Sequence, residues 1–209
     1  MDATNDTTIS QAARGSGDLA RAAHLNHGPA GTDLPGTDRD FEHRDFDHRA
    51  FREALGSFAT GVTVVTMTAP RGAGAPAEVF GITVSAFMSV SLEPPLVAVS
   101  IDHRARAHAT LLAAERFGVS ILGEGQAHLS DQFAGRPVAN PEAPFEELSG
   151  FPVLRGAVAQ LVVWREDALR AGDHTIFVGR VEALRRFGGE PLLYFRSAYH
   201  RLPPPAEPR

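Results

Sequence analysis

Cysteine is absent from the 209-residue chain, and so is lysine. Without cysteine there can be no disulfides, no thiol nucleophile, no cysteine-bound zinc and no iron–sulfur cluster. Any redox chemistry would therefore need a bound organic cofactor, or a metal held by nitrogen and oxygen ligands. The absence of lysine excludes a lysine Schiff base, and with it the usual chemistry of pyridoxal phosphate.

Long apolar runs are also missing, although 43% of the residues are hydrophobic. No segment approaches the ~18 apolar residues that a membrane-spanning helix needs. The N-terminus has neither the basic nor the apolar region of a secretion signal. We therefore expect a cytoplasmic protein without a membrane partner. The length suits a single domain with a sizeable core.

The net charge of −5 is unevenly distributed along the chain. Residues 1–50 carry nine acidic side chains against five arginines, whereas the rest of the chain is nearly neutral. A nucleic-acid partner is therefore not expected. Residues 1–44 contain few large apolar side chains, so we predict a disordered or loosely attached extension. The acids and histidines of residues 41–48 are interpreted as a solvated approach to a helix rather than as a metal site.

From residue 45 onward the apolar pattern predicts strands and a few helices. In DHRAFREALGSFATG, the residues Phe51, Leu55 and Phe58 share one helical face, and Gly61 is placed to end the helix. Further helices are predicted over 105–115 and 125–135. Strands are predicted over 62–68, 79–85, 96–101, 116–122, 157–167, 173–187 and 191–195. A surface loop is predicted over 136–150, and a Pro-rich tail over 203–209.

Most of these strands follow one another through short turns. A doubly wound sheet is therefore disfavoured, and a mainly antiparallel barrel with flanking helices is favoured. Gly72–Ala77 resembles a dinucleotide-binding loop, but a strand rather than a helix follows it, so we interpret it as a hairpin turn. The spacing of His103 and His108 would put them on different faces of a helix, which argues against a metal pair. Strand alternation places His174 and Thr175 on opposite faces.

Four stretches together resemble one family: FREALGSFATGVTVVT, GITVSAFMSVSLEPPLVAVSID, RFGVSIL with QAHLSDQFA, and AGDHTIFVGRV with PLLYF. In this combination they are similar to the short flavin reductases with the FMN-binding split-barrel fold. These are the reductase components of two-component flavin-dependent monooxygenases. The resemblance assigns residues 45–202 to one domain. It implies a six-stranded antiparallel Greek-key barrel that forms a homodimer.

The resemblance implies an NAD(P)H:flavin oxidoreductase. Such an enzyme transfers a hydride from NADH or NADPH to FMN or FAD, and supplies the reduced flavin to a partner monooxygenase. His174 matches the histidine on the nicotinamide side and is the predicted catalytic residue, the alternative being a histidine that caps a hairpin. The predicted cofactor-binding residues are Thr63, Thr83, Val84, Ser85, Ala86, Ser89, Ser100, Ile101, Asp102, His103, Arg104, Arg106, Phe133 and His174. No metal-binding residue is predicted.

The sequence departs from the family pattern where the flavin phosphate is expected. Ala105 and Ala107 stand where the family carries a Ser and a Thr, and Ser120 replaces an Asn in a nearby strand. Each lost charge-assisted hydrogen bond is worth ~1.5–3 kcal/mol. Either Arg104, Arg106 and backbone N–H groups compensate, or the flavin binds weakly, as a substrate. Two other functions stay open: a split-barrel flavoprotein that acts directly on an organic substrate, and a catalytically silent flavin-binding or partner-docking protein.

Overall fold

The computed structural model describes residues 47–70, 77–136 and 144–203. The predictions made for the N-terminal extension, for residues 72–76 of the hairpin turn and for the tail after residue 203 lie outside these ranges. None of the helices in the described part of the chain has the length and apolarity needed to cross a bilayer.

Within these ranges the chain forms three helices and twelve strands. The helices are α1 (His48–Leu55), α2 (Arg106–Ala113) and α3 (Ala127–Phe133), and a 3₁₀ turn (Glu124–Gln126) precedes α3. The strands are β1 (Thr60–Gly61), β2 (Thr63–Ala69), β3 (Glu78–Val84), β4 (Phe87–Leu92), β5 (Pro95–Asp102), β6 (Arg116–Ile121), β7 (Phe145–Leu148), β8 (Phe151–Leu154), β9 (Ala159–Ala171), β10 (His174–Arg186), β11 (Leu193–Phe195) and β12 (Ala198–His200).

Seven antiparallel strands form the main sheet, in the order β3-β2-β6-β9-β10-β5-β4. Its two edge strands, β3 and β4, are neighbours along the chain and are joined only by Ser85–Ala86. The end of β3 and the start of β4 are therefore close together at this link. The predicted antiparallel architecture is confirmed. The sheet has seven strands rather than six, because residues 87–92, which were interpreted as a connection, form β4 against β5.

The main core is formed by side chains of the main sheet together with helix α2. Along β10, Thr175, Phe177 and Gly179 are buried, while the residues between them are partly exposed, so the predicted alternation is confirmed. Phe177 packs with apolar residues of β2, β5, β6 and β9 in one cluster. Helix α2 adds Ala107 and Leu111 to the same cluster.

A second hairpin occupies part of the segment that was predicted to be a surface loop. Residues 137–143 lie outside the described residues, but Phe145–Leu148 forms β7, which pairs with β8. Leu148 is buried in a cluster with residues of β8 and β9. The loop prediction is therefore wrong over these residues. The Pro-rich sequence before β7 indicated a loop, so the short strand was not predicted. Its turn, Ser149–Gly150, has positive φ at both residues.

Helix α1 is shorter than the sequence predicted. It begins after Asp47, whose carboxylate accepts a hydrogen bond from Arg49 N–H at 2.8 Å, and it ends at Leu55. Gly56 is its C-cap, so the prediction of Gly61 as the cap is wrong, and Gly61 lies in β1 instead. No residue of α1 is buried.

A small three-stranded sheet follows the last long strand. Its order is β1-β11-β12, and β11 confirms the strand predicted over 191–195. Thr60 pairs with Tyr194, and Tyr194 pairs with Tyr199. Through β1, this sheet connects the end of α1 to the C-terminal part of the described chain.

Candidate functional site

Three of the segments predicted to contact flavin meet at one edge of the main sheet. The Ser85–Ala86 link lies against the end of β5, where Ser100 N–H donates to the carbonyl of Ala86 at 3.1 Å. Strand β10 starts beside the same end of β5, with Ile176 opposite Ser100 and His174 opposite Asp102. Residues far apart in sequence are therefore neighbours here, because β10 pairs with β5.

A cavity of about 1000 Å³ opens beside this edge. Four of the predicted residues line it: Thr63, Ser85, Ala86 and Ser100. Most of the other walls come from α1, the segment after it, β4 and the turn between β11 and β12, and the sequence analysis gave none of the lining residues of these elements a binding role. The polar and aromatic residues of these walls are Arg52, Phe58, Thr60, Phe87, Tyr194, Arg196 and Ser197.

The walls of the cavity suit a large, mostly apolar ligand that has a polar edge. The lining is rich in Ala, Ile and aromatic side chains, and the part of the chain that the structure describes contributes no Asp or Glu to it. The volume lies at the upper end of the usual range for ligand pockets, about 300–1000 Å³. These residues therefore fit a flavin, whose apolar ring carries hydrogen-bonding groups along one side.

His174 lies just beyond the cavity lining. It is two residues from Ile176, about 7 Å along the strand, and Ile176 lines the cavity. The side chain of His174 is 41% exposed, and its Nδ1 lies 2.7 Å from Asp173 Oδ1. This hydrogen bond lowers the pKa of the Asp173 carboxyl. The hydrogen bond to Asp173 is the contact expected of a histidine that caps a hairpin. The ring of His174 is also half-exposed, at the edge where the predicted site lies.

Asp102 and Arg104 form a tight turn at the end of β5. Arg104 N–H donates to Asp102 Oδ1 at 2.8 Å, and Arg104 Nη2 donates to Oδ2 at 2.7 Å. These bonds hold the pKa of Asp102 well below its usual range. The Arg104 guanidinium is therefore engaged by a carboxylate, although its side chain is 83% exposed. Arg106 is exposed and forms no ion pair with any other described residue.

The departures from the family pattern have different structural settings. Ala105 is the N-cap residue of α2 and, having no polar side chain, forms no capping hydrogen bond. Ala107 is buried in the main core. Ser120 is also buried, and its Oγ accepts a hydrogen bond from Leu154 N–H at 2.9 Å. Ser120 therefore holds β8 against β6, while position 105 is the one from which a hydroxyl could reach the helix N-terminus.

His103 and His108 are close together, so the prediction that they lie on different faces of one helix is wrong. Their rings are 4.9 Å apart in an edge contact. His103 Nε2 and His108 Nε2 lie 3.1 Å and 2.9 Å from Thr175 Oγ1. The prediction failed because His103 precedes α2, which begins only at Arg106. No third His, Asp or Glu of the described ranges joins them in a group that could hold a metal.

Two of the predicted threonines use their hydroxyls within the protein. Thr63 Oγ1 donates to the carbonyl of Val84 at 2.7 Å, and Thr83 Oγ1 donates to the carbonyl of Ser130 at 2.6 Å. The side chains of Val84 and Ile101 are buried in the main core. At Val84 and Ile101, a ligand at this edge could therefore meet only backbone groups.

Two other predicted residues stand apart from the cavity. Phe133 packs against Phe145, with ring centroids 5.9 Å apart, and its ring lies where a side chain at Gly81 would otherwise be. Phe133 therefore contacts the face of β3 and does not line the cavity. Ser89 is exposed on β4 and is also absent from the lining.

The turn between β11 and β12 was not recognised from the sequence. Arg196 and Ser197 form a two-residue hairpin turn in which both φ angles are positive, 48° and 63°. Such turns favour Asn and Gly, so the pair Arg-Ser gave no turn signal. Arg196 N–H donates to the carbonyl of Gly56 at 2.9 Å, which ties the turn to the end of α1. The strand predicted over 191–195, directly before this pair, was the signal available in the sequence.

Comparison with known proteins agrees with this geometry. Residues 55–203 match the model of the flavin reductase like domain. The chain is 40% identical over 159 residues to the NADH-dependent flavin reductase StyB of Pseudomonas fluorescens, a match that covers 74% of this chain and 90% of that protein. It is 43% identical over 153 residues to the reductase component of 4-hydroxyphenylacetate 3-monooxygenase of Thermus thermophilus, covering 73% and 95%.

Solved structures show the same fold. The flavin reductase PheA2 superposes with a TM-score of 0.70 at 43% identity, covering 75% of this chain and 99% of that one. The NADH:FAD oxidoreductase SgcE6 of Streptomyces globisporus, solved in complex with NAD and FAD fragments, superposes with a TM-score of 0.68 at 36% identity, covering 77% and 96%. The predicted fold class is therefore confirmed.

Proposed function

The chain belongs to the flavin reductase-like domain family, and from that premise we propose that it is an NADH-dependent flavin reductase. It transfers a hydride from NADH to FMN or FAD and supplies reduced flavin to a partner monooxygenase. The relatives named above support the choice of NADH over NADPH, since StyB is described as NADH-dependent and SgcE6 as an NADH:FAD oxidoreductase. The reaction takes place in the cytoplasm, where NADH is regenerated.

The observation that carries this proposal is the meeting of three segments beside one cavity. The Ser85–Ala86 link, the end of β5 at Ser100 and the start of β10 at Ile176 all line it. They supply small side chains, hydroxyls and backbone groups along an apolar wall, which lets a ring approach closely and hydrogen-bond at its edge. A bound flavin supplies the two-electron acceptor, a chemistry that no side chain of this protein provides. The protein's part is to position the two nucleotides.

His174 is the residue we assign to the nicotinamide side. Asp173 holds the ring through Nδ1, so the orientation of the imidazole is fixed and Nε2 is left for a ligand. Because hydride transfer itself needs no acid or base, the contribution of His174 is to orient the nicotinamide. Its place opposite Asp102 at the strand end puts it at the same edge as the Ser85–Ala86 link.

The flavin acts as a substrate rather than as a permanently bound group. Of the predicted phosphate contacts, Arg104 is engaged by Asp102, and Ala105 offers no hydroxyl at the start of α2. Arg106 and the free N–H groups of the first turn of α2 are the contacts that remain. A phosphate held by so few groups leaves readily, as delivery of reduced flavin to a second protein requires.

A homodimer is the assembly that the surface supports. Large apolar side chains are exposed on α1, on the segment after it and on β4: Phe58 is 76% exposed and Leu92 is 85% exposed, and Leu55 and Met88 are exposed as well. Leu55, Phe58 and Met88 also line the cavity. Such patches on a soluble protein mark interfaces. A second copy would cover this surface and close the cavity; light scattering on a sizing column measures the mass, and a monomer at all concentrations contradicts the dimer.

The function is tested by mixing purified protein with NADH or NADPH and with FMN, FAD or riboflavin, and following the loss of nicotinamide absorbance. We expect turnover with NADH and faster oxidation than with NADPH. No oxidation with any pair would refute a reductase. Flavin that stays bound through gel filtration would instead favour a flavoprotein acting on an organic substrate. Absence of flavin binding by calorimetry would favour a silent partner-docking protein.

The role of His174 is tested with His174→Ala. We expect a higher KM for NADH with little change in the Kd for flavin, because the ring is assigned to the nicotinamide side. His128→Ala is the matched control, since His128 is an exposed residue of α3. Equal loss of NADH use and flavin binding, or loss of neither, would show that His174 only caps the hairpin.

A further inference from the structure

Two arginines, Arg52 of α1 and Arg196 of the β11–β12 turn, contribute the charged groups on the cavity wall. Among the described residues, no Asp or Glu lines the cavity and none forms an ion pair with either guanidinium. We propose that Arg52 and Arg196 bind the phosphate groups of a nucleotide substrate. The proposal rests on the function assigned above, and it adds a second anion site to the one expected at α2.

One residue connects the backbones of the two arginines. Gly56 N–H donates to the carbonyl of Arg52 at 2.8 Å, and the carbonyl of Gly56 accepts a hydrogen bond from Arg196 N–H at 2.9 Å. The backbone of Gly56 therefore ties the turn to the end of α1, and both arginines line the cavity from these two connected segments.

The backbone conformation of the turn indicates that Arg196 has a ligand-binding role in addition to any structural one. Both Arg196 and Ser197 have left-handed φ angles, 48° and 63°, although neither is Gly, Asn or Asp. Gly would adopt this conformation without steric cost. Backbone strain of this kind clusters at ligand-binding sites. The Arg196 guanidinium also stacks 5.0 Å from the centroid of the Phe195 ring, which restricts its orientation while leaving its N–H donors available.

The phosphate site expected at α2 has few free hydrogen-bond donors, which supports a second phosphate site in the cavity. Arg104 is bound by Asp102, and Ala105 has no hydroxyl. In the cavity, by contrast, two guanidiniums carry planar arrays of donors that match phosphate oxygens. The group that these arginines would bind is a nucleotide phosphate, and both the nicotinamide donor and the flavin nucleotides carry one.

The test compares Arg52→Gln and Arg196→Gln with the wild type, and adds Arg196→Gly, which removes the charge while relieving the strained turn. Arg186→Gln is the matched control, an exposed arginine of β10 outside the cavity. The donor arm uses NADH against 1-benzyl-1,4-dihydronicotinamide, which has no phosphate. The flavin arm uses FMN and FAD against riboflavin. Thermal melting of each variant shows that it is folded.

We expect each cavity variant to raise KM roughly tenfold or more for the phosphate-bearing partner in one arm, and to leave the phosphate-free analogue unchanged. A rise for NADH identifies the donor as the source of the phosphate, and a rise for FMN and FAD identifies the flavin. Unchanged KM values in both arms, or equal rises for the phosphate-free analogues, would overturn the proposal.

Calorimetric titration with NAD⁺ and with FMN gives the same comparison without turnover. If the wild type oxidises no NADH, the reductase assignment fails, but the titrations still decide the phosphate site. Weaker binding of either nucleotide by Arg52→Gln and Arg196→Gly, with Arg186→Gln unaffected, supports it. Wild-type affinity in the cavity variants rejects it.

Discussion

Thr175→Val tests how far one buried hydroxyl holds the predicted site together. Thr175 is 5% exposed, and its Oγ1 lies within hydrogen-bond distance of both His103 Nε2 and His108 Nε2. A hydroxyl has a single hydrogen and two lone pairs, so at most one imidazole accepts from it and at least one donates its own N–H. Valine keeps the shape of threonine but removes both hydrogen bonds at once.

The size of the effect follows from the number of bonds lost. Each intramolecular hydrogen bond contributes about 1 kcal/mol net, so the two together contribute about 2 kcal/mol to the free energy of unfolding. His103 and His108 are only partly buried, so water can reach their nitrogens and the larger penalty for an unpaired buried group does not apply. For a protein of this size, we expect Tm to fall by about 4–8 °C.

The assay is urea unfolding followed by circular dichroism, with Thr66→Val as the control. Thr66 is fully buried like Thr175, but its hydroxyl makes one bond, to the carbonyl of Pro152 at 2.6 Å. Thr66→Val should therefore cost about half as much, about 1 kcal/mol. If Thr175→Val destabilises the protein no more than Thr66→Val does, the two histidines do not both depend on Thr175 and the reasoning is refuted.

Three further predictions concern other parts of the fold. Ala105→Ser should raise Tm by supplying the missing cap of α2, worth ~1 kcal/mol, and should tighten FMN binding more than riboflavin binding, as calorimetry can measure. Gly179→Ala should destabilise the protein by ~1–3 kcal/mol or more in urea titrations, because its Cβ would lie 2.5 Å from a methyl group of β9; Gly61→Ala, with open space at its Cβ, should be nearly neutral by comparison. Arg104→Gln should lower the urea midpoint slightly at pH 6. Because the folded-state pKa of Asp102 is depressed, the difference from wild type should shrink as the pH falls below about 4, and a constant difference down to pH 2 would contradict this.

The sequence was most informative for strands with many buried side chains. Strands β2 and β6 are buried at consecutive positions and were predicted from their apolar runs, whereas β10 was predicted from the alternation of buried and partly exposed residues. Strand β4 was not predicted, since its residues are mostly exposed and its pairing with β5 depends on the turn at Glu93–Pro94. Strand β7 was not predicted, because the Pro-rich sequence before it indicated a surface loop.

The candidate site was predictable only along single segments. The Ser85–Ala86 link and the end of β5 were predicted because each is a contiguous motif. Arg52 and Arg196 belong to the same cavity but lie far apart in sequence, and only the anchoring at Gly56 brings them together. Local spacing gives no information about such long-range neighbours, which depend on how the small sheet docks on α1.

Similarly, the neighbourhood of His103 and His108 depends on where α2 begins. Helical spacing was applied to both residues, yet only His108 is in the helix. Phe133 illustrates the opposite case: the aromatic residue of a predicted site segment packs on Gly81 of β3, because that glycine leaves room for a ring. Residue type and position in a motif could not distinguish packing from ligand contact there.

The pairing of β5 with β10 also has a consequence for how the protein folds. Strands β9 and β10 form a hairpin of near neighbours, whereas the contact of His103 with Thr175 spans 72 residues of sequence. Hairpins of this local kind close quickly, and pairings between distant segments close slowly because more chain entropy is lost. A chain in which only the local hairpins have formed lacks the edge, between β5 and β10, at which the nucleotides bind. Nucleotides should therefore bind the completed fold alone, and at high concentration they should slow unfolding and raise the apparent stability.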